Sequence, residues 1–138
     1  MKVQIQYSYI AGSIEFLYNL SLKGKQSRHR TRFIKALQEK LQEVSEEEIA
    51  LLKEYAGEDE EGNPKKNKQG NFDIKDVQGF KKQQEELFAE QYVCDGGDVS
   101  GMLKTVKDIL LNYDEEVSGQ VAEVYDYLCE QFEKGEDQ

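Results

Sequence analysis

The sequence contains no tryptophan, one proline, one histidine and two cysteines among its 138 residues. Cys94 and Cys129 lie far apart without a CxxC spacing, and only His29 could join them, so a zinc site is not expected. We expect both cysteines to be buried thiols, without a disulfide in a reducing cytosol. Scarce proline, with 33% charged and 38% hydrophobic residues, is typical of a soluble, helix-rich protein.

Long apolar runs and nucleotide-binding motifs are also missing. No run approaches the ~20 residues of a transmembrane helix, and the first six residues lack the apolar centre of a secretory signal, so we expect the protein inside a cell. There is no GxGxxG or GxxxxGK[ST] pattern. The consecutive acids at 58–61 lack the ligand spacing of an EF-hand loop. Because the lone imidazole of His29 has no convincing nucleophile partner, we expect no enzymatic activity. We expect no cofactor or metal either, because nucleotide-binding motifs and clusters of metal-ligating residues are missing.

Charge is abundant and segregated along the chain. Residues 1–35 contain seven Lys or Arg and one acid, which gives +6. Residues 36–138 contain eleven Lys or Arg and 27 acids, which gives −16 and a total of −10. Such a chain could bind an anion at one end and a cationic surface at the other. Alternatively, the two ends attract one another, within the fold or between copies.

The basic segment 23–35 holds every arginine of the chain. Arg28, Arg32 and Lys35 are three or four residues apart and form one helical face, and arginine matches carboxylate or phosphate groups bidentately. An acidic protein surface is favoured over nucleic acid as the partner, because the chain as a whole is acidic. In addition, the only aromatic residue of the segment apart from His29 is Phe33, which belongs to the apolar stripe of the helix. The predicted binding residues are Lys25, Arg28, Arg30, Arg32 and Lys35.

Residue periodicity predicts a mainly α fold, a helical bundle of about five helices with a small two-stranded β element. Val3 and Ile5 alternate with polar residues, which indicates a short strand, and residues 92–94 could form its partner. A protruding Gly/Asn-rich loop is expected at about 57–75. The chain is predicted to form a single domain, 1–138, with a frayed tail at 135–138 and no internal repeat.

Capping signals set the expected helix boundaries. Gly24 suits the left-handed stop of the first helix, and Ser27 then begins a long second helix that continues to about Ala56. The pattern at 45–48 matches a capping box, so that helix is expected to kink or restart there. A third helix is expected from Val77 to Tyr92. The caps predicted for the last two helices are Asp98 and Ser118.

Four stretches carry a resemblance to a known family: Asn19-Leu-Ser-Leu-Lys-Gly-Lys-Gln-Ser-Arg-His-Arg-Thr-Arg-Phe-Ile-Lys35, Leu51-Leu-Lys-Glu-Tyr-Ala56, Glu61-Gly-Asn-Pro…Gly-Asn-Phe, and Tyr113-Asp-Glu-Glu-Val-Ser-Gly119. They resemble small uncharacterised proteins, catalogued as a domain of unknown function, of phages and prophages of Gram-positive bacteria. The resemblance covers nearly the whole chain. It implies a phage-encoded protein in the host bacterial cytoplasm or in the virion, and it supplies no activity or catalytic residues.

The sequence favours a non-enzymatic phage protein that binds another protein, as a virion structural or assembly factor. One alternative is an inhibitor of a bacterial defence system, whose carboxylates mimic nucleic acid and occupy a basic nuclease. Another is a nucleic-acid-binding protein that uses segment 23–35. No membrane partner is expected, and a homo-oligomer is compatible with the sequence. The carboxylates of the inhibitor hypothesis are Glu46, Glu47, Glu48, Glu58, Asp59, Glu60 and Glu61.

Overall fold

The computed structural model describes residues 1–95 and 101–135, and 65% of these described residues are helical. The mainly α fold class is confirmed, with five helices and a two-stranded antiparallel sheet in the described residues. The predicted Asp98 cap and residues 136–138 of the tail lie outside the described residues. The elements in chain order are β1 Val3–Gln6, α1 Tyr7–Tyr18, α2 Gly24–Ala56, α3 Val77–Ala89, β2 Gln91–Cys94, α4 Met102–Leu111 and α5 Gly119–Lys134.

The predicted pairing of two short strands is confirmed. β1 and β2 are antiparallel, with Val3 opposite Cys94 and Ile5 opposite Tyr92. Val3 and Ile5 are fully buried because alternate residues of a strand point to one face. The sheet therefore has one face in the core, as the alternation of the sequence indicates.

The chain divides into two compact units. Unit 1 comprises Met1–Leu41 and Gln91–Gln138. In its core, the rings of Phe33 in α2 and Phe132 in α5 meet edge to face at 5.7 Å, and both are fully buried. The hydroxyl of Tyr125 in α5 donates to the last turn of α4, at Leu110 O, over 2.7 Å. The neighbouring positions of α4 and α5 follow from their short connection.

Unit 2 comprises Gln42–Glu90. It contains the second part of α2, the segment 57–76 and α3. The rings of Tyr55 and Phe80 pack edge to face at 5.8 Å, and Gln84 Nε2 donates to Glu48 Oε2 over 2.9 Å. The single domain expected over 1–138 stays a prediction.

Helix α2 differs from the predicted boundaries at both its start and its middle. It begins at Gly24, which has a left-handed φ of +59° but opens α2, whereas α1 already ends at Tyr18. Ser27 therefore lies inside the helix and does not cap it. The helix also runs through Ser45 without a break, because apolar residues on both sides continue one stripe. Helix α3 ends at Ala89 and not at the predicted Tyr92, because the chain enters β2 two residues after Ala89.

The segment between α2 and α3 contains an internal repeat, so the prediction of no repeat is wrong. Asp59 Oδ1 accepts hydrogen bonds from the backbone N–H groups two and four residues later, at 2.9 and 3.0 Å. Eight residues on, Asn67 Oδ1 accepts from the same relative positions at 3.0 and 3.1 Å. Gly62 and Gly70 occupy matching places with φ of +83° and +84°. Two equivalent turns therefore follow one another.

Backbone hydrogen bonds repeat in the same way. Isolated antiparallel bridges join Glu58 to Pro64 and Lys66 to Phe72, again eight residues apart. They make the segment hairpin-like, as the turn residues indicate. Gly135, expected in the frayed tail, is instead buried, and a Cβ there would collide with the backbone of Lys2. Within residues 1–95 and 101–135, no helix is both long and apolar enough to cross a membrane.

Candidate functional site

The first half of α2 presents four cationic side chains on one side. Lys25, Arg28, Arg32 and Lys35 follow steps of three, four and three residues, and all four are exposed. This spacing places them along one helical face about 15 Å long. We call these four residues the basic face.

No ion pair neutralises the basic face among the described residues. The ion pairs found there join other groups, Lys53 to Glu58, Lys75 to Asp73 and Lys134 to Glu130. The nearest acids along the chain are Glu15 and Glu39. The four charges are therefore available for an anionic partner.

The position of the basic face in its helix adds to the positive potential. The first turn of α2 contains no acid, and Lys25 and Arg28 lie near its N-terminus. That end of a helix already carries a partial positive charge, which makes a cation there unfavourable by about 0.3–1 kcal/mol. These charges consequently do not stabilise the helix, and residues that break a local stability rule are expected at functional surfaces.

Arg30, predicted with the other binding residues, has a different environment. Its guanidinium donates to the backbone oxygens of Leu17 and Leu20 over 2.8 and 2.7 Å, and to Ser27 Oγ over 3.4 Å. Leu17 is in the last turn of α1, and its carbonyl oxygen also accepts from the backbone N–H of Leu20 over 3.2 Å. Arg30 thus holds the end of α1 against α2, and the structure separates it from the basic face.

His29 is buried on the side of α2 that faces the core. Its Nδ1 lies 2.9 Å from the hydroxyl of Thr105 in α4. Burial lowers the pKa of His29 below its ordinary value of 6.5, and the positive charges of Lys25, Arg32 and Arg28 lower it further. The imidazole is therefore neutral near pH 7 and acts as a packed polar group.

The lowered pKa of His29 predicts a stability that declines in mild acid. The folded protein resists protonation of His29, whereas the unfolded chain takes up the proton near pH 6.5. Between the two pKa values the unfolded state binds more protons, so the free energy of unfolding falls as pH falls. We expect wild type to lose stability relative to His29→Gln between about pH 7.5 and about pH 5.5. Urea unfolding across this range measures it, and parallel curves for the two proteins would contradict the prediction.

The seven carboxylates of the inhibitor hypothesis do not form one continuous array. Glu46 and Glu47 are exposed on α2, but Glu48 accepts the hydrogen bond from Gln84. In the following segment, Glu58 pairs with Lys53 at 3.8 Å, and the Asp59 carboxylate is engaged in its own turn. Glu60 and Glu61 are exposed at the tip of that turn.

A groove along α1 and α5 was not among the sequence predictions. Its walls come from Ser8–Leu20 and from residues 113–124, and it has a volume of about 880 Å³. The signals that could have found it are the small residues Ala11 and Gly12 in α1 and the acid Glu116 before α5. Among the described residues, there is no group of three or more His, Cys, Asp or Glu side chains able to hold a metal ion. Comparison with protein-family models, with curated proteins and with solved structures found no match.

Proposed function

We propose that the protein is a non-enzymatic binding protein whose basic face contacts an acidic surface of another protein. The observation that carries this proposal is the set of four exposed cations on one side of α2, without an ion pair among the described residues. Arginine is enriched at protein interfaces and binds carboxylates through two parallel hydrogen bonds. Arg28 and Arg32 are therefore the expected centre of the contact.

The resemblance to phage and prophage proteins supports a role in virion structure or assembly. In that setting the partner is a virion protein or a host protein in the bacterial cytoplasm. Binding proteins of this kind need no catalytic residues, in keeping with the lack of a paired nucleophile and base in the sequence. The acidic remainder of the chain keeps the protein soluble and leaves the basic face as a local exception.

The two other hypotheses have weaker support from the geometry. A nucleic-acid-binding surface commonly adds aromatic side chains on which bases stack, whereas Phe33 is fully buried beside the basic face. A nucleic-acid mimic needs regularly spaced free carboxylates, whereas Glu48, Glu58 and Asp59 have partners of their own. An acidic protein partner remains the better match to the basic face.

The proposal predicts that a partner will be lost when the two central arginines are removed. Tagged wild type and an Arg28→Ala/Arg32→Ala variant would be recovered from cells that produce the phage proteins, and captured proteins identified by mass spectrometry. Each arginine at the centre of an interface contributes about 1–2 kcal/mol, so binding of the reconstituted partner should weaken by about 30-fold or more. Arg30 is left intact because it holds α1.

A matched control removes two exposed lysines elsewhere, as Lys81→Ala/Lys82→Ala, with the same change in net charge. The control should keep the partner. Equal retention by both variants would refute a contact through the basic face. Release of the partner by nuclease treatment would indicate a nucleic-acid bridge and would contradict direct protein binding.

A further inference from the structure

The groove in unit 1 has an apolar floor. Phe16 and Val124 are almost completely buried at its base, and Val121 is 49% exposed in its wall. A Cβ added to Gly12 would lie 2.9 Å from Val124 Cγ2, so α1 and α5 approach closely at this glycine. The close approach closes the bottom of the groove and leaves apolar surface open above it. A partner must therefore supply apolar side chains.

The rim of the groove is acidic. Glu15, Glu116 and Glu123 line it and are exposed, and the described residues that line it include no lysine or arginine. None of the three carboxylates has an ion pair within the described residues. A partner must therefore also supply cations at its edges.

Aromatic packing fixes the walls of the groove. Tyr9 in α1 stacks on Tyr127 in α5, with ring centroids 3.7 Å apart and planes 5° from parallel. Phe16 meets the rings of Tyr113 and Tyr125 at 5.5 Å each. Tyr127 is held in turn by the backbone N–H of Gln6, which donates to its hydroxyl over 2.8 Å. A preformed groove of this kind binds without first having to order its walls.

We propose that this groove binds a cationic amphipathic helix of a partner protein. The apolar stripe of such a helix would cover Val121 and the floor, while lysine and arginine beside the stripe would meet Glu15, Glu116 and Glu123. Helices laid into apolar grooves are a common mode of peptide recognition. The net charge of −10 attracts a cationic segment from a distance.

Other occupants fit the groove less well. A small polar ligand needs convergent buried polar groups, and none of the polar side chains that line the groove is buried. A second copy would bring another −10 of charge and repel the first. Its basic face also lacks an exposed apolar side chain, since the neighbouring Phe33 and Ile34 are buried. The groove is distinct from the basic face. The basic face would bind an acidic partner, whereas the groove would bind a cationic one.

The test uses the full chain and a fluorescent synthetic peptide of about 16 residues, long enough to form a helix, with leucine on one face and lysine beside it. Binding is followed by fluorescence anisotropy. A Glu15→Gln/Glu123→Gln variant should bind about tenfold more weakly and lose much of the salt dependence. Val121→Asn, which removes apolar contact without adding charge, should also weaken binding by several-fold.

The matched control neutralises two exposed acids outside the groove, as Glu39→Gln/Glu133→Gln, and should change the affinity less than twofold. A peptide with glutamate in place of lysine should not bind. Backbone NMR shifts confined to the groove, at Ala11 and Val117, would support the site. Equal weakening by the groove variant and the control variant would overturn it. So would a wild-type dimer in sedimentation velocity that the groove variant abolishes, because the occupant would then be a second copy.

Discussion

Replacing Arg30 by alanine should lower the free energy of unfolding by about 2–3 kcal/mol. The Arg30 guanidinium donates to two backbone oxygens, at Leu17 and Leu20, over 2.8 and 2.7 Å. Hydrogen bonds from a charged donor contribute about 1.5–3 kcal/mol each, and the partly exposed carbonyl groups recover some of this from water. Urea unfolding followed by far-ultraviolet circular dichroism measures the loss.

Arg28→Ala is the matched control for Arg30. Arg28 is exposed, lacks an ion pair among the described residues and lies near the positive end of α2. Its removal should change stability by less than about 0.5 kcal/mol. Similar losses for the two variants would show that Arg30 does not have the structural role assigned to it. The division matters for function, because a variant of the basic face must be folded for its binding to be interpreted.

The second large effect is expected at Phe132, where substitution by alanine should cost about 3–5 kcal/mol. Phe132 in α5 is fully buried and meets the ring of Phe33 edge to face at 5.7 Å. Alanine would remove this contact and leave a cavity that the surrounding helices fill only in part. Because Phe33 follows Arg32 directly in α2, the pair also holds the helix that carries the basic face.

The control for Phe132 is Val121→Ala in the same helix. Val121 is 49% exposed, so its truncation should cost less than about 0.5 kcal/mol. Phe132→Leu, which keeps most of the volume, should fall between the two. A loss below about 1 kcal/mol for Phe132→Ala would contradict the position of this ring at the centre of the core. Denaturant titration of all three variants at one temperature gives the comparison.

The helices and the first strand could be predicted because the spacing of their apolar residues fits only one kind of element. Steps of three or four residues fit a helix, and steps of two fit a strand. The steps of three and four from Leu103 to Leu110 predict α4, and the alternation of Val3 and Ile5 predicts β1. The pairing of β1 with residues 92–94 could also be predicted, because a single strand needs a second strand to satisfy its backbone hydrogen bonds. These signals are local, and the fold agrees with them.

The roles of individual polar residues could not be predicted in the same way. Arg30 has the same charge as Arg28 and Arg32, and only the position of the end of α1 makes it a capping residue. The start of α2 at Gly24 was missed because Ser27 is a good cap by its chemistry alone. The groove depends on two helices that meet at Gly12 and Val124, over a hundred residues apart. Such sites arise from tertiary packing, which periodicity does not contain.

The two proposed contact surfaces carry opposite charges and consist of different residues of unit 1. An acidic surface would meet the basic face of α2, while a cationic helix would enter the groove beside Glu15 and Glu123. A protein with both contacts could hold two unlike partners at once, which suits an assembly factor. Each contact has its own variant and control, so failure of one leaves the other open to measurement.

The duplicated turn after α2 advances the chain by a fixed step of eight residues. Asp59 and Asn67 each organise one turn, and backbone hydrogen bonds close the two blocks eight residues apart, from Lys65 N–H to Gly57 O and from Asp73 N–H to Lys65 O. Each block has its own side-chain acceptor and its own left-handed glycine, at Gly62 and at Gly70. We therefore expect that deleting or adding one block of eight residues would disturb the flanking helices less than a change of any other length.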